Sequence, residues 1–297
     1  MRTFAYLSPS GEPRIGVVYE NVRYDFTRIW QIFKEIRNSP RTPDYHFIQL
    51  MIETGNFSAE DLLEVIEEVK GFRGLEDLII KGEITYDVPI QRPTKIICMA
   101  RNYRKHAEEF NSEVPTSPKV FLKSTAALLP NEGAIRIPRD IGRVDHEIEL
   151  AVIIGETATQ VTEEEAMKHV AGYTIANDVT ARSLQKEAKD KGEPWTLCKG
   201  MDTFLPIGPY VVPADAIDDP HNLNIELTVG DETRQKSNTS YMLFSIPTII
   251  SYISQYITLM PGDIICTGTP EGVGPIKSGD LVQCKIEGLG VLRNTVI

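Results

Sequence analysis

The sequence predicts an α+β fold dominated by short strands, with a small α+β unit at residues 1–90 and a β-rich body at residues 91–297. Three observations carry this. The chain has 297 residues, and at roughly 100–200 residues per domain two units are expected. The stretch Pro89-Ile90-Gln91-Arg92-Pro93 stiffens an extended connection with two prolines. Beyond it, branched apolar runs of strand length alternate with Gly and Pro turns and few helical periodicities intervene, which favours a sandwich, roll or barrel over a doubly wound sheet.

In order along the chain, residues 4–7 and 15–19 are apolar runs, and 22–26 follows a turn at Glu20-Asn21, as in a hairpin or meander. Residues 58–70 form the clearest helix: Ser58 suits the N-cap, Asp61 stands three residues on, and Leu62, Val65, Ile66 and Val69 share one face. After the prolines, strands are expected at 95–99, 120–123, 147–154, 172–178, 223–229, 264–267, 282–286 and 291–296. A few helices interrupt them, among them 162–167, opened by Thr162 and Glu165 at capping-box spacing, and 245–255, with Pro247 in its first turn.

A net charge of −11 argues against a nucleic-acid partner, because neutralising phosphates takes clustered Lys and Arg. The four cysteines, Cys98, Cys198, Cys266 and Cys284, show no CxxC spacing, and Cys98 and Cys266 sit inside apolar runs. Buried reduced thiols in a reducing compartment are expected. No run approaches the length of a spanning helix or a signal peptide. The reading is a soluble cytoplasmic protein without a membrane partner.

The most informative stretch is His146-Glu147-Ile148-Glu149 followed by Leu-Ala-Val-Ile-Ile. In a strand Glu147 and Glu149 project from one face. An isolated ExE marks a solvated face, but here the run continues apolar on both faces, the pattern of a doubly buried strand. Two carboxylates at the mouth of such a strand need a cation or protons. Asp178 ends the next apolar strand; it could equally cap the following helix. Sequential strands often pair, so these ends can converge. Three carboxylates without a His/Cys cluster suit Mg²⁺ or Mn²⁺ rather than Zn²⁺.

Cations follow in Arg182 and Lys199, the latter set among Trp, Leu, Cys and Gly, where a lysine is partly desolvated. Upstream, His106 and Glu109 are i and i+3 on a helix. That spacing gives a surface ion pair or, as chemistry, a carboxylate that raises the basicity of an imidazole suited to activating water. The loop 267–275 is rich in Gly and Pro and is no P-loop. Its backbone N–H groups and the Thr269 hydroxyl are candidates for holding a small carboxylate.

Together these segments resemble the fumarylacetoacetate hydrolase family, in its acylpyruvate hydrolase/oxaloacetate decarboxylase branch. The matching pieces run in family order: RNYxxHxxE at 101–109, FLK at 121–123, HExEL at 146–150, NDxTARxxQ at 177–185, PWTxxK at 194–199, FSIPxIIxYIS at 244–254 and GDIIxTGTPxGVGP at 262–275. The resemblance covers about residues 91–297. It implies a mixed β-sandwich roll, usually a homodimer, preceded here by a variable small domain. It implies Glu147, Glu149 and Asp178 as Mg²⁺ or Mn²⁺ ligands, with His106 and Glu109 as a water-activating pair on a lid at roughly 102–118. Gln185 and Lys199 would stabilise the developing enolate. Arg101, Lys123, Arg182 and Thr269 would be substrate contacts.

The implied activity is hydrolysis of a C–C bond in a 2,4-dioxo acid, such as acetylpyruvate or fumarylpyruvate. Oxaloacetate decarboxylation through the same metal-stabilised enolate is a further expectation. The alternative on the same fold is an isomerase or decarboxylase of hydroxy-dienedioates, or a dehydratase of 2-keto-3-deoxy sugar acids. A catalytically silent binding protein is the reading from another class.

Overall fold

The computed structural model describes residues 1–39, 42–109 and 113–297. Its framework is a mixed sheet of eleven strands among these residues. From one edge the strands run Val22–Asp25, Pro13–Tyr19, Arg2–Leu7, Leu205–Pro213, Val170–Asn177, Ile148–Ile154, Ile264–Cys266, Ile96–Met99 and Val120–Lys123. Thr85–Tyr86 and Leu128–Leu129 pair off this path. The first three strands form the expected meander, turned at Glu20 and Asn21, both with positive φ.

Every residue of Ile148–Ile154 is buried, as its two-sided apolar pattern requires. On one face Leu150, Val152, Tyr173 and Ile175 share a core with Ile225, Leu227, Val282, Cys284 and Leu292 of a second, five-stranded sheet, and with Ile249 and Ile253 of the helix Ile246–Ser254. On the other, Ala151, Ile153, Ile207, Val211 and Ile264 pack with Ile29, Trp30, Ile48, Leu62, Val65 and Val69 of the N-terminal helices. The sheet is therefore the middle layer of a sandwich, and residues from both sides of the 89–93 connection contribute to one core.

The helix expected at 58–70 is Ala59–Arg73, capped by Ser58, whose Oγ accepts from Asp61 N at 2.9 Å. Ile246–Ser254 starts as expected, with Ser245 accepting from Thr248 N. Thr162 precedes the helix Glu163–Ala166 but makes no capping hydrogen bond from its side chain. Beyond several strands of two or three residues, two longer ones lacked a sequence signal. Leu205–Pro213 carries three prolines, which argue against a central strand, yet it joins Arg2–Leu7 to Val170–Asn177, with a register shift between Tyr173 and Ile175. Glu232–Asn238 is polar throughout, and Gln235 is its one buried side chain. The four cysteines are buried and free. No helix among the described residues is long and apolar enough to cross a membrane.

Candidate active site

Strand pairing brings the acidic side chains together. Antiparallel register sets Ile148 opposite Asn177. The ladder continues one step, Asp178 N donating to Glu147 O at 2.8 Å and Glu147 N to Asn177 Oδ1 at 2.8 Å. Glu147 and Glu149, two residues apart, share a face, so one carboxylate oxygen from each of Glu147, Glu149 and Asp178 lies within 4.8 Å of the others. Their residues are 4%, 1% and 1% exposed. Asp178 does not cap the following helix Arg182–Lys191, whose N-cap is Ala181.

Three cations meet these acids. Lys199 Nζ, from the short helix Thr196–Lys199, donates to Glu147 Oε2 at 2.7 Å and to Asp178 Oδ2 at 2.5 Å. Lys123 Nζ donates to Asp178 Oδ1 at 2.6 Å and to Val179 O. Arg182 pairs with Glu147 Oε1, reaches Asp145 Oδ2 at 2.7 Å through Nε, and holds Gln185 Oε1 at 2.6 Å through Nη1. Burial alone would push the Glu147 carboxyl up, but the charges of Lys199 and Arg182 overturn this and hold it far below the usual carboxylate range. Burial likewise works against the Lys199 ammonium, and Asp178 and Glu147 outweigh it, keeping the ammonium charged.

Glu149 differs. The hydrogen bond it accepts is from Gly268 N at 2.7 Å, and no ion pair reaches it among the described residues. Burial, then the nearby charge of Asp178, pushes its carboxyl well above the ordinary value. A buried, uncompensated carboxylate beside two others is the place where a cation gains most. The donor set is all oxygen, so these residues could hold a hard divalent ion such as Mg²⁺ or Mn²⁺.

The other strand ends deliver the remaining wall. Ile264–Cys266 lies antiparallel to Ile148–Ile154 and parallel to Ile96–Met99, with Cys266 level with Cys98. Residues 99–101 and 267–269 therefore emerge side by side. Asn102, fully buried, ties them: its Nδ2 donates to Thr267 O at 2.8 Å and to Phe244 O at 3.0 Å. Arg101 adopts φ 60°, an uncommon conformation for a non-glycine residue. The helix Arg104–Glu109 sets His106 Nδ1 3.4 Å from Glu109 Oε2, and Glu109 Oε1 accepts from Gly272 N at 3.2 Å. Of the lid expected at 102–118, residues 110–112 lie outside the described residues.

His106, Glu147, Glu149, Arg101, Arg182, Gln185, Lys199 and Thr269 wall one small cavity of about 30 Å³, room for a water or an ion. It shares Ala100, Arg101, Phe121 and Trp195 with an outer cleft of about 520 Å³. Asp178 and Lys123, bonded to each other, both stand outside this cavity's wall. Two groups escaped the sequence reading. Lys189 also lines the cavity, and its spacing from Arg182 and Gln185 (i, i+3, i+7) was a legible signal. Gln235 approaches from the second sheet, and nothing local announces it. A roomier groove of about 440 Å³ near Arg2, Lys236 and Glu287 shares no wall with the carboxylates.

A cavity walled by carboxylates, an imidazole and buried cations, several with displaced titration, has the architecture of an enzyme active site. The chain belongs to the fumarylacetoacetate hydrolase family: a profile described as fumarylacetoacetate (FAA) hydrolase C-terminal matches residues 95–297. It is 50% identical over 200 residues to the mitochondrial oxaloacetate tautomerase FAHD1 of Arabidopsis thaliana, covering 67% of this chain and 89% of that protein. Among solved structures, the fumarylacetoacetate hydrolase of Exiguobacterium antarcticum aligns over 100% of this chain and 99% of its own, with a TM-score of 0.79 and 32% identity. The fumarylpyruvate hydrolase of Pseudomonas aeruginosa, solved with Mn²⁺ and pyruvate, covers 73% of this chain and 92% of its own, with a TM-score of 0.67 and 33% identity.

Proposed function

We propose that this protein is a divalent-metal-dependent enzyme of small 2-oxo acids that hydrolyses the C–C bond of 2,4-dioxo acids such as acetylpyruvate or fumarylpyruvate. The observation that carries the reading is the uncompensated Glu149 carboxylate beside Glu147 and Asp178, in a cavity shared with His106. Glu147, Glu149 and Asp178 would hold Mg²⁺ or Mn²⁺. When bound, the ion supplies Lewis-acid stabilisation of the charge developing on the 2-oxo oxygen.

The chain's own groups do the rest. Arg101, Arg182 and Lys189 place positive charge around a substrate carboxylate. The Oε1 of Gln185 is engaged by Arg182, so its NH₂ is the group offered to a ligand. The Lys199 ammonium is a donor for the enolate-like leaving oxygen. His106, oriented against Glu109, takes a proton from water as the water adds to the distal carbonyl. The distal acyl group runs outward past Phe121 and Trp195, whose rings are 5.5 Å apart.

A second reading is tautomerisation of oxaloacetate, favoured by the 50% identity to a protein of that name. It uses the same cavity but needs no attacking water. Protein stripped of metal and reloaded with Mn²⁺ is assayed on acetylpyruvate, fumarylpyruvate and enol-oxaloacetate. The hydrolase reading expects Mn²⁺-dependent cleavage of a dioxo acid, reduced by about 10² or more in His106→Ala. Turnover of enol-oxaloacetate alone establishes the second reading instead, and turnover indifferent to metal removal contradicts both.

A further inference from the structure

Gln235 is fully buried at the meeting point of three segments. Its Nε2 donates to Thr269 Oγ1 at 2.8 Å and to Pro270 O at 2.9 Å. Its Oε1 lies 3.2 Å from Ile148 N and 3.0 Å from His146 Nδ1. Two of these partners have a single role: a backbone N–H can only donate and a proline carbonyl can only accept. Ile148 and Pro270 therefore fix which end of the amide is oxygen.

The other two roles follow. An amide oxygen cannot donate, so His146 Nδ1 carries a hydrogen. An amide NH₂ cannot accept, so the Thr269 oxygen must. A hydroxyl has one hydrogen, and with the oxygen already accepting from Gln235 that hydrogen is left to donate. Among the described residues the Thr269 hydroxyl makes no hydrogen bond besides the one from Gln235, and Thr269 lines the cavity with Glu147, Glu149, His106 and Lys199.

We infer that Gln235 is a positioning residue that polarises Thr269, fixing its hydroxyl as a hydrogen-bond donor to an anionic oxygen of the bound 2-oxo acid. This rests on the metal-dependent reading above. It assigns to a side chain on the second sheet a share in ligand recognition that no contact with the ligand would reveal. A neutral side chain without hydrogen bonds at 235 frees the Thr269 rotor, and the donor is no longer held in place.

The test is calorimetric titration of oxalate, a mimic of the pyruvate enolate, into Mn²⁺-loaded wild type, Gln235→Met, Thr269→Val and the double variant, with Mn²⁺ affinity and melting measured on each. A charge-assisted hydrogen bond lost from either single variant should weaken oxalate about tenfold. The double variant should be no weaker than Thr269→Val, Mn²⁺ affinity should be unchanged, and Thr269→Ser should bind within about twofold of wild type. Equal weakening by Gln235→Met with and without the Thr269 hydroxyl would mean a merely structural role and overturn the inference. So would Thr269→Val binding oxalate as wild type does, an arm that stands even if Gln235→Met fails to fold. Oxalate binding that ignores Mn²⁺ would contradict the metal-dependent reading, while the coupling between positions 235 and 269 would still be measured.

Discussion

Glu149 lies in the strand Ile148–Ile154 and Glu147 just ahead of it, at the break after Val144–His146, yet neutralising them should have opposite consequences. Glu147 is bonded to Lys199 and Arg182; Glu147→Gln leaves buried cations uncompensated and should cost about 3–5 kcal/mol of stability. Glu149 has a backbone N–H and two like charges nearby. Glu149→Gln should leave the metal-free protein as stable as wild type or more so, while abolishing its response to Mn²⁺. Thermal melts of both variants with and without Mn²⁺ check this; equal destabilisation would show that Glu149 is compensated after all. The Glu147–Glu149 pair was legible because period-two spacing next to a doubly apolar run reports burial from sequence alone, whereas Asp178 could equally have been a helix cap until the strand register placed it beside them. That Lys199 bridges two of the acids was not legible, because it depends on how a helix returns to strand ends dozens of residues away.

At the scale of elements, the loop 267–275 binds the chain's own groups before any ligand: Gly268 N holds Glu149 and Gly272 N holds Glu109. Gly272 has φ 93°, and a Cβ there would lie 2.1 Å from Arg234 O. Gly272→Ala should cost roughly 1–3 kcal/mol and lower turnover of a dioxo acid through the displaced Glu109, with Mn²⁺ affinity retained; calorimetry beside a kinetic assay separates the two. The same loop shows where sequence reading stops. Its glycines and Thr269 were visible as an anion-binding candidate, but its Gly268 and Gly272 amides face inward to two carboxylates, contacts that depend on which distant segments the fold brings to this loop. Leu205–Pro213 went unread because its prolines mimic a loop, and tertiary pairing overrides that local signal.

For the whole molecule, one sheet serves both segments of the chain. We propose that the division at residue 90 separates a covering unit from a chemistry-bearing one, with the core shared between them. Ile96, Cys98, Ala151, Ile153 and Ile264 pack against the N-terminal helices, so a chain beginning at residue 91 should melt at lower temperature than the full chain and bind an apolar dye. A truncated chain as stable as the full one would place the core boundary at residue 90. The sheet-rich architecture followed from runs of branched residues between Gly and Pro, whereas its layering required knowing which faces the helices cover. The proposed chemistry requires one ion among Glu147, Glu149 and Asp178, and a crystal grown with Mn²⁺ and oxalate reads this directly. An anomalous peak bonded to one oxygen of each carboxylate is expected, with oxalate on its open side and Thr269 Oγ1 within hydrogen-bond reach of an oxalate oxygen. A map without density among the three carboxylates, or with the ion bound elsewhere, would contradict it.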